Sequence, residues 1–126
     1  MRAMESSARH TLSQEERLRA RADFRRCIRG GARSAGRFIV VCASPNGLGQ
    51  TRLGAASTRR LGGAVRRNRQ KRLVREAFRL TKHELPQGLD IVVLPKVPWR
   101  DPTLDELKIE LLENVRRAAA KLPEEA

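Results

Sequence analysis

Two short runs constrain this chain most: Phe38-Ile39-Val40-Val41-Cys42-Ala43 and Leu89-Asp90-Ile91-Val92-Val93-Leu94. The first is apolar at every position and rich in β-branched residues. It has no face to give to water, so it reads as a central strand. The second is another buried strand, ended by Pro95 and Pro98. At 126 residues the length suits one domain. Such a chain can bury roughly two-thirds of its surface without disulfide staples.

The remaining elements are placed around these strands. Ala20, Phe24, Cys27 and Ile28 share one face of a short helix over about 20–29, ended by Gly30-Gly31. Ser13 with Glu16 fits a capping box and leaves an earlier helix start open. Residues 1–14 have little pattern and read as a mobile tail. Pro45 to Gly49 is a turn. Thr51 to Thr58 is expected to return as a strand antiparallel to the first. Its Gly54, Ala55 and Ala56 suit close approach of a helix or a ligand. Leu61 to Ala64 leads into a long helix that runs to about Glu84 and stops before Pro86. Thr103 with Glu106 is a second capping box. Behind it Leu104, Leu107, Leu111, Val115, Ala118 and Leu122 form one apolar stripe. This last helix is acidic overall and is expected to cover a sheet face away from any polyanion. The domain is expected to span 15–122, with 123–126 as a C-terminal tail.

Charge is distributed unevenly. From Arg52 to Arg79 there are ten Lys or Arg against one acid, Glu76. That is +9 of the chain's net +13. On a helix, Asn68, Lys71, Arg72, Arg75, Arg79 and Lys82 share an arc of about 100°. Leu73, Val74, Ala77, Phe78 and Leu80 occupy a different arc, suited to a core. A solvated face normally mixes signs at i,i+4. One face of like charges implies a bound anion, and a pI near 11.5 makes nucleic acid the first candidate partner. Arginine suits phosphate because its fork is bidentate and stays charged. Gly62-Gly63 lets the backbone approach a phosphate or bend sharply into the helix. Asn68 suits either a backbone turn or an RNA group.

The residues of this stretch also carry a resemblance. Arg52-Leu53-Gly54, Arg59-Arg60-Leu61-Gly62, Ala64-Val65, Arg67-Asn68-Arg69, Lys71-Arg72-Leu73 and Arg75-Glu76 resemble, ungapped, the "RNR" region of the protein subunit of bacterial ribonuclease P. Weaker similarity runs from about Arg17 to Leu122. The resemblance implies an α/β (α+β) two-layer sandwich with a mixed four-stranded sheet in αβββαβα order. It also implies a left-handed β-α-β crossover, of the kind in ribosomal protein S5 domain 2, against the usual right-handed preference. An extended segment before the first helix is implied as well.

It further implies two sites. Arg59, Arg60, Arg66, Arg67, Asn68, Arg69, Lys71, Arg72, Arg75 and Arg79 would bind the catalytic RNA. A cleft between the first helix and the sheet would hold the single-stranded 5′ leader of precursor tRNA, with Phe24, Ile28, Phe38 and Val40 as its candidates. Ile28 stands where many members carry an aromatic, and Val40 and Val41 where a tyrosine can occur. Grip by apolar and backbone contact is therefore expected to outweigh stacking. Phe24 and Phe38 suit plain core packing equally well.

As a self-sufficient enzyme the chain is poor. It has no Ser-His-Asp spacing, no Walker loop and no H-E-x-x-H. Half of the acids lie from Asp101 onward, on and around the last helix, interleaved with Lys and Arg, which does not suit a metal nuclease. His10 and His83 are isolated, so no metal is expected on the protein. Cys27 and Cys42 lie in apolar patterns and suit buried thiols in a reducing cytoplasm. No apolar run of about 18 residues exists, and the first residues lack an apolar signal region. The expected function is the protein subunit of a ribonucleoprotein endonuclease that trims the 5′ end of precursor tRNA. Its partners are the catalytic RNA and that tRNA, with one protein per RNA and no membrane. Magnesium is expected on the RNA subunit and the substrate. A structural or ribosomal-type RNA-binding protein is the alternative. A membrane-surface protein fits less well, because the core needs the basic helix's apolar side.

Overall fold

The computed structural model describes residues 16–18 and 20–123. The expected tail 1–14 and the Ser13 half of the first capping box lie outside them. In chain order come helix α1 (Arg21–Gly30), strands β1 (Ala32–Ala35), β2 (Ile39–Pro45) and β3 (Arg52–Ala55), and helix α2 (Ala64–Thr81). Strand β4 (Leu89–Pro95) and helix α3 (Leu104–Ala120) follow. Among the described residues the fold is α+β: one mixed four-stranded sheet and three α-helices in the expected order.

The sheet order is β1-β2-β4-β3. β2 pairs antiparallel with β1 and with β4, and β3 pairs parallel with β4. β3 therefore runs antiparallel to β2, as expected from the sequence, but with β4 between them. The two most apolar runs bury most by taking the two central positions. β3 has Arg52 and only four residues, so it suits an edge. It also stops at Ala55 rather than Thr58. Its outer side is partly covered by the chain before α1. Arg17 bridges Leu53 in parallel, and the Leu18 N–H donates to the Leu53 carbonyl at 2.9 Å. Arg17 and Leu18 are thus extended along β3, as the resemblance implied for this part of the chain.

Alternation along the strands divides the core. Ile39, Val41, Ala43, Leu53, Ile91 and Val93 pack with Val74, Ala77 and Phe78 of α2 and Leu107, Leu111 and Val115 of α3. Cys42 and Val92 pack on the other face with Leu18 and Cys27, flanked by Phe24, Ile28 and Leu94. α2 and α3 thus share one face of the sheet, and α1 covers the other.

α3 starts as its sequence predicts. Glu106 N–H donates to Thr103 Oγ1 at 3.1 Å, and Thr103 N–H donates to the Glu106 carboxylate at 2.9 Å. That backbone hydrogen bond holds the Glu106 carboxyl below its ordinary value. One turn on, Glu110 is buried and accepts N–H bonds from Arg37, Phe38 and Ile39 at 2.7, 2.7 and 2.8 Å. A single carboxylate from α3 thereby fixes the start of β2.

Candidate nucleic-acid interface

α2 begins without a side-chain cap: Gly63 is its N-cap, and a 3-10 turn at Arg59–Leu61 precedes it. Gly62 between them has φ +117°, and a Cβ there would stand 2.6 Å from Arg66 Cδ. Only glycine lets the turn meet the helix so closely. The link is then locked by Gln70, which is 2 % exposed. Its amide donates to the Leu61 carbonyl at 3.2 Å, and its Oε1 accepts from Ser57 Oγ at 3.1 Å. This residue was not singled out from the sequence, yet it fixes Arg59 and Arg60 relative to the helix. A glutamine midway along the apolar arc was the only signal.

The apolar side of α2 buries Val74, Ala77 and Phe78. On its outer side Arg66, Asn68, Arg69, Arg72 and Arg75 are exposed, as are Arg59 and Arg60 in the turn. Lys71 is half-buried. So is Arg67, and its Nε is buried without a partner. Arg75 is held below its ordinary pKa, by partial desolvation first and then by Arg17 nearby. Two cations on this side are already paired. Arg79 grips Glu76 through two bonds of 2.7 and 2.6 Å, which raises its pKa. Lys82 meets Glu16 at 2.6 Å. Arg79 thus differs from the other expected phosphate ligands: it already has a carboxylate. Six exposed arginines remain as an unpaired array among the described residues: Arg59, Arg60, Arg66, Arg69, Arg72 and Arg75.

The second face is built by α1. Phe24 and Ile28 are half-buried there beside Leu94 and Ala56. Val40 sits opposite Leu94 in the β2–β4 register, so it belongs to the same face. Gly54 makes room for the ring: a Cβ there would stand 2.6 Å from Phe24 Cζ. A shallow hollow of about 420 Å³ opens beside Arg21, Phe24 and Arg25. Next to it, Asp90 is buried and accepts two bonds of 2.7 Å from Arg52 and one of 3.0 Å from Asn46. Arg52 also lies 3.6 Å from Asp23, which pairs with Arg26. The Asp90 hydrogen bonds raise the pKa of Arg52. Burial pushes the Cys27 thiol up to about 12, helped by Cys42.

Phe38 does not join Phe24. It is 8 % exposed, within the cluster shared with α2 and α3, and Arg37 stacks 5.2 Å from its ring centroid. The cause is local. Phe38 precedes the first residue of β2, where Glu110 holds the backbone against α3. The structure brings Phe24, Ile28 and Val40 to one face and sends Phe38 to the core.

Among the described residues no three His, Cys, Asp or Glu side chains converge as metal ligands, and no helix is long and apolar enough to cross a membrane.

The family model for ribonuclease P matches residues 12–119. The ribonuclease P protein component of Thermotoga petrophila is 43% identical over 86 residues, spanning 68% of this chain and 74% of the relative. That of Oleidesulfovibrio alaskensis is 40% identical over 119 residues, spanning 91% and 95%. Among solved structures, the RNase P protein from Thermotoga maritima superposes with a TM-score of 0.73 at 37% identity, covering 81% of this chain and 96% of that one. By the extent of these matches and by its fold, the chain belongs to the ribonuclease P protein family.

Proposed function

We propose that this chain is the protein subunit of a ribonucleoprotein endoribonuclease that removes the 5′ leader of precursor tRNA. The observation that carries the reading is the unpaired arginine array on α2 and its preceding turn, in a chain of this family. The array neutralises phosphates of the catalytic RNA, with Asn68 as a donor and acceptor beside it and Lys71 and Arg67 at its flank. Electrostatic neutralisation of this kind supplies most sequence-independent affinity for nucleic acid. Arg79 contributes less, because Glu76 already balances it.

The leader lies on the opposite face of the sheet, over Phe24, Ile28 and Val40. One aromatic and two aliphatic side chains there favour contact with little base preference. A stacked base contributes about 1–3 kcal/mol, and a single half-buried ring supports the lower part of that range. Bond cleavage in this reading belongs to the RNA subunit. Magnesium is held by that RNA and the substrate, since the described carboxylates are committed to arginines, backbone amides or scattered surface positions. One protein serves one RNA. The buried unpaired thiols Cys27 and Cys42 fit work in a reducing cytoplasm.

Reconstitution tests the reading. Purified chain is added to a bacterial ribonuclease P RNA and precursor tRNA at low magnesium. The expected result is faster cleavage at the mature 5′ end. A structural RNA-binding protein would bind the RNA and leave cleavage unchanged.

A further inference from the structure

A cavity of about 550 Å³ lies between α2 and the loop leading into α3, away from the α1 face. Trp99, Leu73 and Pro102 give it apolar walls, and Arg69 and Arg72 stand at its rim. Its volume falls within the range of small-molecule sites, about 300–1,000 Å³. Three polar groups also line it, and two are engaged. Gln70 holds Leu61 and Ser57, and Glu76 holds Arg79. Asp101 is exposed, and its carboxylate has neither ion pair nor hydrogen bond among the described residues. Its backbone is left-handed, with φ +51°.

We propose that this cavity takes an unpaired guanine nucleotide of bound RNA. The inference rests on the RNA-binding role of α2 and adds a base-specific pocket to it. An extruded base is read by stacking on apolar side chains and by hydrogen bonds to its pairing edge. The indole and Leu73 supply the apolar contact. Arg69 and Arg72 sit where the nucleotide's phosphates would follow. The choice of guanine comes from Asp101. A carboxylate offers two acceptors side by side, and guanine alone among the four bases presents two adjacent donors on its pairing edge, N1–H and the N2 amino group. The contact is charge-assisted.

Trp99 is the chain's single tryptophan and is 8 % exposed, between this cavity and the core, so intrinsic tryptophan fluorescence comes from one residue at the cavity wall. The test titrates the full chain with short single-stranded RNAs that differ only at one central G, A, C or U. The G oligonucleotide is expected to change the fluorescence saturably and to bind about tenfold tighter than the others. Asp101→Asn should level the four affinities. Asparagine is among the few residues that accept a left-handed backbone, so the variant should fold. Folded catalytic RNA and precursor tRNA are titrated separately, and whichever changes the Trp99 signal in the native chain but less in Asp101→Asn supplies the guanine. A fluorescence response without base preference overturns the proposal. So does no response from either RNA while anisotropy of labelled RNA shows binding. If anisotropy shows no binding at all, the RNA-binding reading fails with it.

Discussion

Salt dependence gives the sharpest test of how the arginine array works. Six exposed arginines have no carboxylate partner among the described residues, whereas Arg79 and Lys82 are paired with Glu76 and Glu16. Each phosphate neutralised by an unpaired cation releases condensed counterions. If all six engage, log K should fall against log salt with a slope of about −5 on duplex RNA and about −4 on single strands. Raising salt fourfold would then weaken binding by about 300- to 2,000-fold. The paired residues sharpen the test. Arg72→Ala and Arg75→Ala should each flatten the slope by roughly 0.7–0.9. Arg79→Ala should flatten it much less, because Arg79 is already held by Glu76 and releases few counterions from phosphate. Fluorescence anisotropy of labelled catalytic RNA over a salt series measures all four slopes. The reasoning is refuted by a wild-type slope near zero, or by Arg79→Ala matching Arg72→Ala.

Other outcomes follow from single contacts. Glu110→Ala removes the acceptor of three backbone N–H groups and should cost about 3–5 kcal/mol in urea unfolding. Gly36→Ala should be costly in the native chain, since its Cβ would overlap the Glu110 side chain, and nearly neutral in Glu110→Ala; equal costs in both backgrounds would break the argument. Phe24→Ala should weaken binding of leader-bearing substrate more than of mature tRNA, whereas Phe38→Ala should lower the unfolding free energy by about 3–5 kcal/mol without such discrimination. The reverse pattern would return Phe38 to the leader face. Cys27 is held as a neutral thiol, so its contribution is complete below the unfolded value of 9.0 and is lost as pH rises towards about 12. Unfolding free energy should therefore fall with pH above about 9, and less so in Cys27→Ala; identical slopes in both proteins would count against it.

The sequence signals that worked were those written within one element. The two apolar runs located the central strands, Thr103 and Glu106 marked the start of α3, and the acid-free arc located the basic side of α2. Signals that depend on a distant partner were illegible. β1, Ala-Arg-Ser-Ala, has no hydrophobic pattern. It is a strand because β2 offers an edge and because Ser34 Oγ donates to Asn114 Oδ1 at 2.7 Å, across 80 positions. Lys82 falls on the basic arc by spacing, but Glu16, 66 positions away, neutralises it. The Glu76–Arg79 pair, three apart, is by contrast a local signal legible in the sequence. Phe38 misled because an aromatic beside a strand fits a binding face and a core equally well. Only the Glu110 contact from α3 decides between them.

The placement of α1 and α2 on opposite faces of one sheet has a mechanical consequence. The two proposed RNA contacts are held apart by a helix and a β layer, about 20 Å of close-packed material. Such an interior hardly compresses, so the chain behaves as a strut of fixed length. An RNA seated on the arginines and a single strand on the Phe24 face cannot compete for the same side chains. They are also held at one separation, whatever the sequence of either.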